Sequence, residues 1–288
     1  MILSVASGKG GTGKTTVSAN LARVAGHRVQ LLDCDVEEPN AHLFVNGEFR
    51  SSEEVFVPVP RVDASRCTGC GECSDLCRFN AIASLPSGAI VFPELCHGCG
   101  GCMRVCPEGA ITEQGHRIGV VERLEAPGIT LVQGRLDVGV AMAPPLIRAV
   151  KALLDPELPA ILDAPPGTSC PVIATVRGSH LVILVTEPTP FGLNDLRLAV
   201  DMVREIGLPH GVVINRAGIG DDRTFAFCRQ MDIPVLMELP DDRAIAEAYS
   251  RGELAVDALP AYRRHFEELL ERCGELYHTA RREYHAEL

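Results

Sequence analysis

The chain has 288 residues, 46% of them apolar, with 27 Lys and Arg against 38 Asp and Glu for a formal charge of −11. That composition is globular, with no apolar run near the roughly 18 residues of a membrane span. An acidic balance without any Lys/Arg run offers no footprint for nucleic acid. The opening residues, MILSVASGKGG, lack a basic leader region, so the expectation is a cytoplasmic protein with no nucleic-acid partner and no stable membrane insertion.

Ile2–Ala6 is an apolar run and the first predicted strand, and Thr15–Ala25 carries a helical pattern. Between them Gly8-Lys9-Gly10-Gly11-Thr12-Gly13-Lys14-Thr15 satisfies G-x-x-x-x-G-K-[ST], continuing to Thr16. Small residues there let successive backbone N–H groups converge on phosphate oxygens at a helix N-terminus. In such a loop Lys14 neutralises the β- and γ-phosphates and the Thr15 hydroxyl holds Mg²⁺. ATP or ADP with magnesium is the expected ligand. The next predicted strand, Val29–Asp33, sets Asp33 and Asp35 at the carboxyl edge of a sheet, beside the nucleotide.

The strand–helix alternation then stops between about Val57 and Gly119. Eight of the twelve cysteines lie here, in CTGCGECSDLCRFNAI from Cys67 and CHGCGGCMRVCPEGAI from Cys96. Without an export signal, such density points to metal or redox use rather than disulfides. Both copies read C-x2-C-x2-C-x3-C, with glycines at 69, 71, 98, 100 and 101 that allow tight turns. Structural zinc remains an alternative for four-cysteine sites, and so does an iron–sulfur module of purely architectural role.

The two runs resemble a bacterial-type two-cluster ferredoxin. By that resemblance one [4Fe–4S] cluster takes Cys67, Cys70, Cys73 and Cys106. The other takes Cys96, Cys99, Cys102 and Cys77. Where the pattern has proline after the fourth cysteine, Pro107 satisfies it and Arg78 departs from it; proline is a backbone preference, so ligation is unaffected.

Beyond the break, predicted strands at Ile129–Gln133, Ala160–Asp163, Leu181–Thr186, Gly211–Asn215 and Val235–Glu238 alternate with helical patterns, the last at Tyr262–Glu283. Continuous apolar strands separated by helices imply a parallel sheet covered on both faces. The fold expectation is α/β, a three-layer α/β/α sandwich with a mainly parallel sheet over residues 1–57 and 119–288, with a small α+β ferredoxin-like domain inserted at 58–118. Asp163 closes an apolar strand, as a magnesium-side carboxylate does in phosphate-loop proteins. Cys34, Cys170, Cys228 and Cys273 read by default as buried apolar cysteines, with Cys170, in the GTSCP loop after Asp163, the exception to watch. The C-terminal amphipathic pattern mixes Glu and Arg on its polar side, which suits packing on its own domain or a dimer partner.

GKGGTGKTT resembles the deviant Walker A motif of the MinD/ParA/Mrp group of P-loop ATPases. DCDVEEPN resembles its switch I, DAPPGT its Walker B/switch II, and INRAG its adenine-side segment. The resemblance implies that Lys9 reaches across a nucleotide-sandwich dimer to the phosphates of a second copy or a paralogous ATPase. It implies Asp35 as the residue that positions or activates the attacking water, Asp163 as magnesium-associated through water, and Asn215 as the adenine contact. The expected function is an ATP-hydrolysing iron–sulfur protein that couples dimerisation to electron transfer or to cofactor maturation on a redox or cofactor-assembly partner. A MinD/ParA-like positioning ATPase with redox-sensing clusters is the alternative. No C-x-x-C follows Asp163, which disfavours a labile cluster held between subunits.

Overall fold

The computed structural model describes residues 1–26 and 28–286. Strand β1 (Ile2–Ala6), helix α1 (Lys14–Val24) and strands β2 (Val29–Asp33) and β3 (Glu48–Val62) open the chain. The cysteine region holds α2 (Glu72–Leu76), β4 (Ile82–Leu85), β5 (Gly88–Val91) and α3 (Gly101–Val105). There follow β6 (Ile111–Ala126), β7 (Ile129–Leu136), α4 (Pro144–Lys151), β8 (Ala160–Asp163), α5 (Cys170–Val176), β9 (Leu181–Thr186) and α6 (Pro190–Ile206). The chain continues with β10 (His210–Ala217), α7 (Arg223–Gln230), β11 (Val235–Pro240), α8 (Arg243–Ser250), α9 (Ala255–Ala258) and α10 (Pro260–Ala286). Two units are resolved: Met1–Ser52, Val121–Arg135 and Ile147–Leu288 form the first, and Glu53–Val120 with Leu136–Leu146 the second.

In the first unit the strand order is β11-β10-β9-β1-β8-β2-β7, continued at the β7 edge by β6 and β3. The pairs β1·β8, β1·β9, β2·β7, β2·β8, β9·β10 and β10·β11 are all parallel. Each apolar strand feeds both layers, because alternate residues face opposite sides. Leu3, Val5, Ile183, Val185 and Val213 join α1 and α10 in one core. Ala6, Val182, Leu184, Val212 and Ile214 join α5, α6 and α7 in the other. Helix α10 packs its own unit through Phe266, Leu269 and Cys273, all fully buried.

Two long strands, β3 and β6, were not predicted as such. β3 is largely exposed and interrupted by Pro58 and Pro60, and β6 is exposed over its first half and fully buried only at Ile111 and over 118–121, so neither presents a sustained apolar run. Cys170 also departs from expectation: Cys34, Cys228 and Cys273 are buried, but Cys170 is exposed at the first residue of α5. The second unit is built around the two short helices, the β4–β5 hairpin with its antiparallel register, and a small core of Cys73, Ile82 and Ile111.

Candidate functional site

The P-loop leaves β1 and enters α1 at Gly13, whose φ of 93° places it in the left-handed region. A side chain there would meet strain and also the Asn215 amide, so glycine is required twice over. Helix α1 has no side-chain cap and no acid in its first turn. Its leading N–H groups and positive dipole end are therefore available to an anion. Lys14 and Thr12 are buried beside it, and Thr12 Oγ1 has no hydrogen-bond partner. Thr15 Oγ1 donates to Asp163 Oδ2 at 2.5 Å, while Asp163 Oδ1 is buried and unpartnered. Orphaned oxygens on both sides of this pair are what a hydrated Mg²⁺ and a phosphate would satisfy. The donor set, hydroxyl and carboxylate, suits magnesium. The loop, its helix, Thr15 and Asp163 fit a magnesium-bound nucleotide.

The acids at the carboxyl edge share a register, Asp33 lying opposite Asp163 on neighbouring strands. Burial, reinforced by the Asp163 charge, pushes Asp33 up to about 8 despite two opposing backbone N–H groups. Its Oδ1 accepts the Asp35 N–H at 3.1 Å, and its Oδ2 accepts the Asn40 and Ala41 N–H groups, each at 2.9 Å. Asp33 thus ties the loop that follows β2 to the sheet. Burial also raises Asp35 to about 6, opposed by the Lys14 charge. Asp163 likewise rises to about 6, burial outweighing the Thr15 hydrogen bond and Lys14.

Asn215 reaches the P-loop directly: its Nδ2 donates to Thr12 O at 2.8 Å and its Oδ1 accepts the Arg216 N–H at 2.9 Å. It also lines an open groove with Gly11, Thr16, Arg216, Asp241 and Tyr249. Much of its amide is spent on bracing the loop. Gly8 packs against the Asp195 backbone so closely that a Cβ has no room. Lys9 stands apart from the phosphate residues, since its Nζ lies 3.1 Å from Glu187 Oε2. Glu187 and Arg216 were not singled out from sequence. An acid directly after the apolar β9 run, in the setting that marked Asp33 and Asp163, was a usable signal for Glu187.

In the second unit the eight module cysteines line two cavities. One is bounded by Cys67, Cys70, Cys73 and Cys106. The other is bounded by Cys96, Cys99, Cys102 and Cys77. Each set takes three cysteines from one run and the last from the other. The repeat is visible in the backbone, because Gly71 and Gly100 start α2 and α3 at φ of 91° and 68°. Cys77 Sγ accepts the Ala81 N–H and Cys106 Sγ the Ala110 N–H, both at 3.3 Å. Burial raises the equivalent thiols Cys73 and Cys102, which an adjacent cationic metal centre would reverse. Among the described residues no group of three or more His, Cys, Asp or Glu side chains is arranged to hold one metal ion.

The profile of the CobQ/CobB/MinD/ParA nucleotide binding domain matches residues 3–256. The chain is 30% identical over 259 residues to an uncharacterized protein of Methanocaldococcus jannaschii, covering 88% of this chain and 90% of that one. It is 26% identical over 289 residues to a cytosolic Fe-S cluster assembly factor Nubp2 homolog of Anopheles gambiae, with 90% of each covered. In three dimensions it is similar to the septum site-determining protein MinD of Pyrococcus horikoshii, solved with Mg-ADP, at a TM-score of 0.60 and 22% identity over 97% of this chain and 98% of that one.

Proposed function

The chain belongs to the CobQ/CobB/MinD/ParA nucleotide binding domain family, and on that premise we propose that it couples ATP-dependent dimerisation to maturation of an iron–sulfur or other metal cofactor on a partner, or to electron delivery to it. It is a P-loop ATPase of the MinD-like type. The observation that carries the iron–sulfur part is the division of eight cysteines between two cavities, each completed by the opposite run. That division matches the crossed ligand pattern of two [4Fe–4S] clusters. The Fe-S assembly factor among the relatives favours maturation over electron delivery. The likeness to MinD carries the fold alone, so a positioning role has no separate support.

In this reading the N–H groups of residues 8–15 cradle the phosphates and Lys14 neutralises charge that grows on their oxygens. Thr15 and Asp163 hold the magnesium side. Magnesium, when bound, supplies charge stabilisation at the bridging oxygens. Asp35, on the loop tied by Asp33, orients the attacking water and takes its proton. Asn215 keeps Thr12 and Arg216 in place at the base groove. Lys9 serves the partner subunit's phosphates, which makes turnover depend on assembly. The clusters, held by the two cysteine sets, would supply one-electron storage or transferable iron and sulfide.

Anaerobic reconstitution of the full chain, followed by iron and sulfide counting, tests the reading. It expects about eight iron per chain and cluster transfer to an apo-acceptor that depends on ATP. A zinc-loaded chain without sulfide would overturn it. Clusters that exchange electrons with a partner but never transfer would select electron delivery.

A further inference from the structure

Glu187 follows a fully buried strand and is itself only 7% exposed, yet nothing in the phosphate chemistry above uses it. Its two carboxylate oxygens hold two cations from distant parts of the chain, Lys9 on the P-loop and Arg216 near the end of β10. Oε2 lies 3.1 Å from Lys9 Nζ, and Oε1 lies 3.1 Å from Arg216 Nη1. Arg216 also has Asp241 Oδ1 at 3.9 Å, but that acid is exposed. The two cations differ in how firmly they are held. Lys9 is a compact ammonium on a flexible stem. Arg216 is fastened through its backbone, at φ 53° with its N–H on Asn215 Oδ1. The turn beyond it closes onto the Glu187 loop, where the Asp221 N–H donates to Pro188 O at 3.3 Å. Gly220 leaves no space there for a Cβ against the same carbonyl.

We propose that Arg216 is a positioning residue for Lys9: it is the resident counter-ion that keeps Glu187 paired when Lys9 leaves for the partner subunit's phosphates. The proposal rests on the inter-subunit role given to Lys9 above. A carboxylate this buried is strongly disfavoured without a partner. Were Lys9 its sole cation, departure would strand the charge and Lys9 would stay. With Arg216 present, one oxygen keeps its guanidinium, and the planar fork can close on both oxygens as Lys9 goes. Glu187 therefore sets the resting place of Lys9, and Arg216 sets how readily Lys9 is released. Because Arg216 borders the groove beside Asn215, the same residue links the base end of the site to the lysine.

The test measures self-association by sedimentation velocity and turnover by phosphate release, on the full chain at saturating ATP and Mg²⁺, so that any loss of affinity at the groove is removed. Arg216→Met is expected to weaken ATP-dependent association by about tenfold, with turnover falling in parallel. Arg216→Lys, which keeps the charge, is expected to recover most of it. Glu187→Gln releases Lys9 and is expected to tighten association. The double variant is expected to follow Glu187→Gln alone, because Arg216 has no buried charge left to hold. A purely structural role for Arg216 would instead leave the loss from Arg216→Met undiminished in the Glu187→Gln background, and such additivity overturns the proposal. So does an Arg216→Met chain, folded by its thermal melt, that associates like the wild type. Lys9→Ala separates the two levels. If it dimerises and turns over normally, the inter-subunit reading itself fails. If it does neither while Arg216→Met and Glu187→Gln match the wild type, only the counter-ion role fails.

Discussion

Asp33 and Asp163 sit side by side in the sheet, and both carboxyls are raised because burial strips water from a charge faster than nearby donors replace it. The sign of the linkage follows. A carboxyl raised from 3.8 to about 6, as Asp163 is, opposes folding increasingly as pH climbs through that window, since the folded chain then holds more protons than the unfolded one. A divalent cation favours the ionised form, so magnesium-ADP should bind more weakly below pH 6, by up to about tenfold per unit. Calorimetry across pH checks this, and an Asp163→Asn chain should show a shallower slope than the wild type. Asp33 has a different task. Its carboxyl oxygens accept three backbone N–H groups of the loop that follows β2, one of them from fully buried Ala41. Asp33→Ala should cost about 2 kcal/mol by urea denaturation, mostly from donors left unmade. Turnover should fall further than stability, because the loop that carries Asp35 is untied.

At the level of elements, β1, β2 and β7 to β11 were legible because each is a short apolar run buried on both faces, bounded by helical patterns. Strands β3 and β6 were not, since β3 is mostly solvated and β6 is continuously buried only over 118–121, too short an apolar signal to stand out. Helix α10 packs on its own unit, as the absence of a lysine-rich side suggested, and Phe266 anchors it at 0% exposure. Phe266→Ala should destabilise the chain by about 3–5 kcal/mol, visible as a lower melting temperature. The P-loop was legible from spacing alone, but its brace was not. Asn215 reaches Thr12 from 203 residues away, so its hydrogen bond had no local signature. A chain with Asn215→Ala should bind nucleotide less tightly even when the base contact is removed from the comparison by using inorganic triphosphate as ligand.

For the molecule as a whole, the two cysteine cavities lead to a prediction that tests the crossing itself. Cys77 and Cys96 line one cavity, whereas Cys67 lines the other. A reconstituted Cys77→Ser/Cys96→Ser chain should retain about four of about eight iron, while Cys77→Ser/Cys67→Ser should retain almost none. The reverse result, almost no iron in the first chain and about four in the second, would mean that each run holds its own cluster and that the crossed sets do not exist. What the sequence determined by itself was whatever depends on neighbours along the chain: the phosphate loop, the parallel-sheet pattern, and the paired cysteine runs, whose spacing is short enough to read directly. Tertiary structure alone decided which distant charges meet. Lys9, read from sequence as a cation aimed across a dimer, rests in the single chain on Glu187, 178 residues away, beside Arg216. Strand order brings the P-loop, the residue after β9 and the end of β10 to one sheet edge, and no local pattern encodes it, because burial makes a carboxylate seek cations from whichever segments the fold delivers.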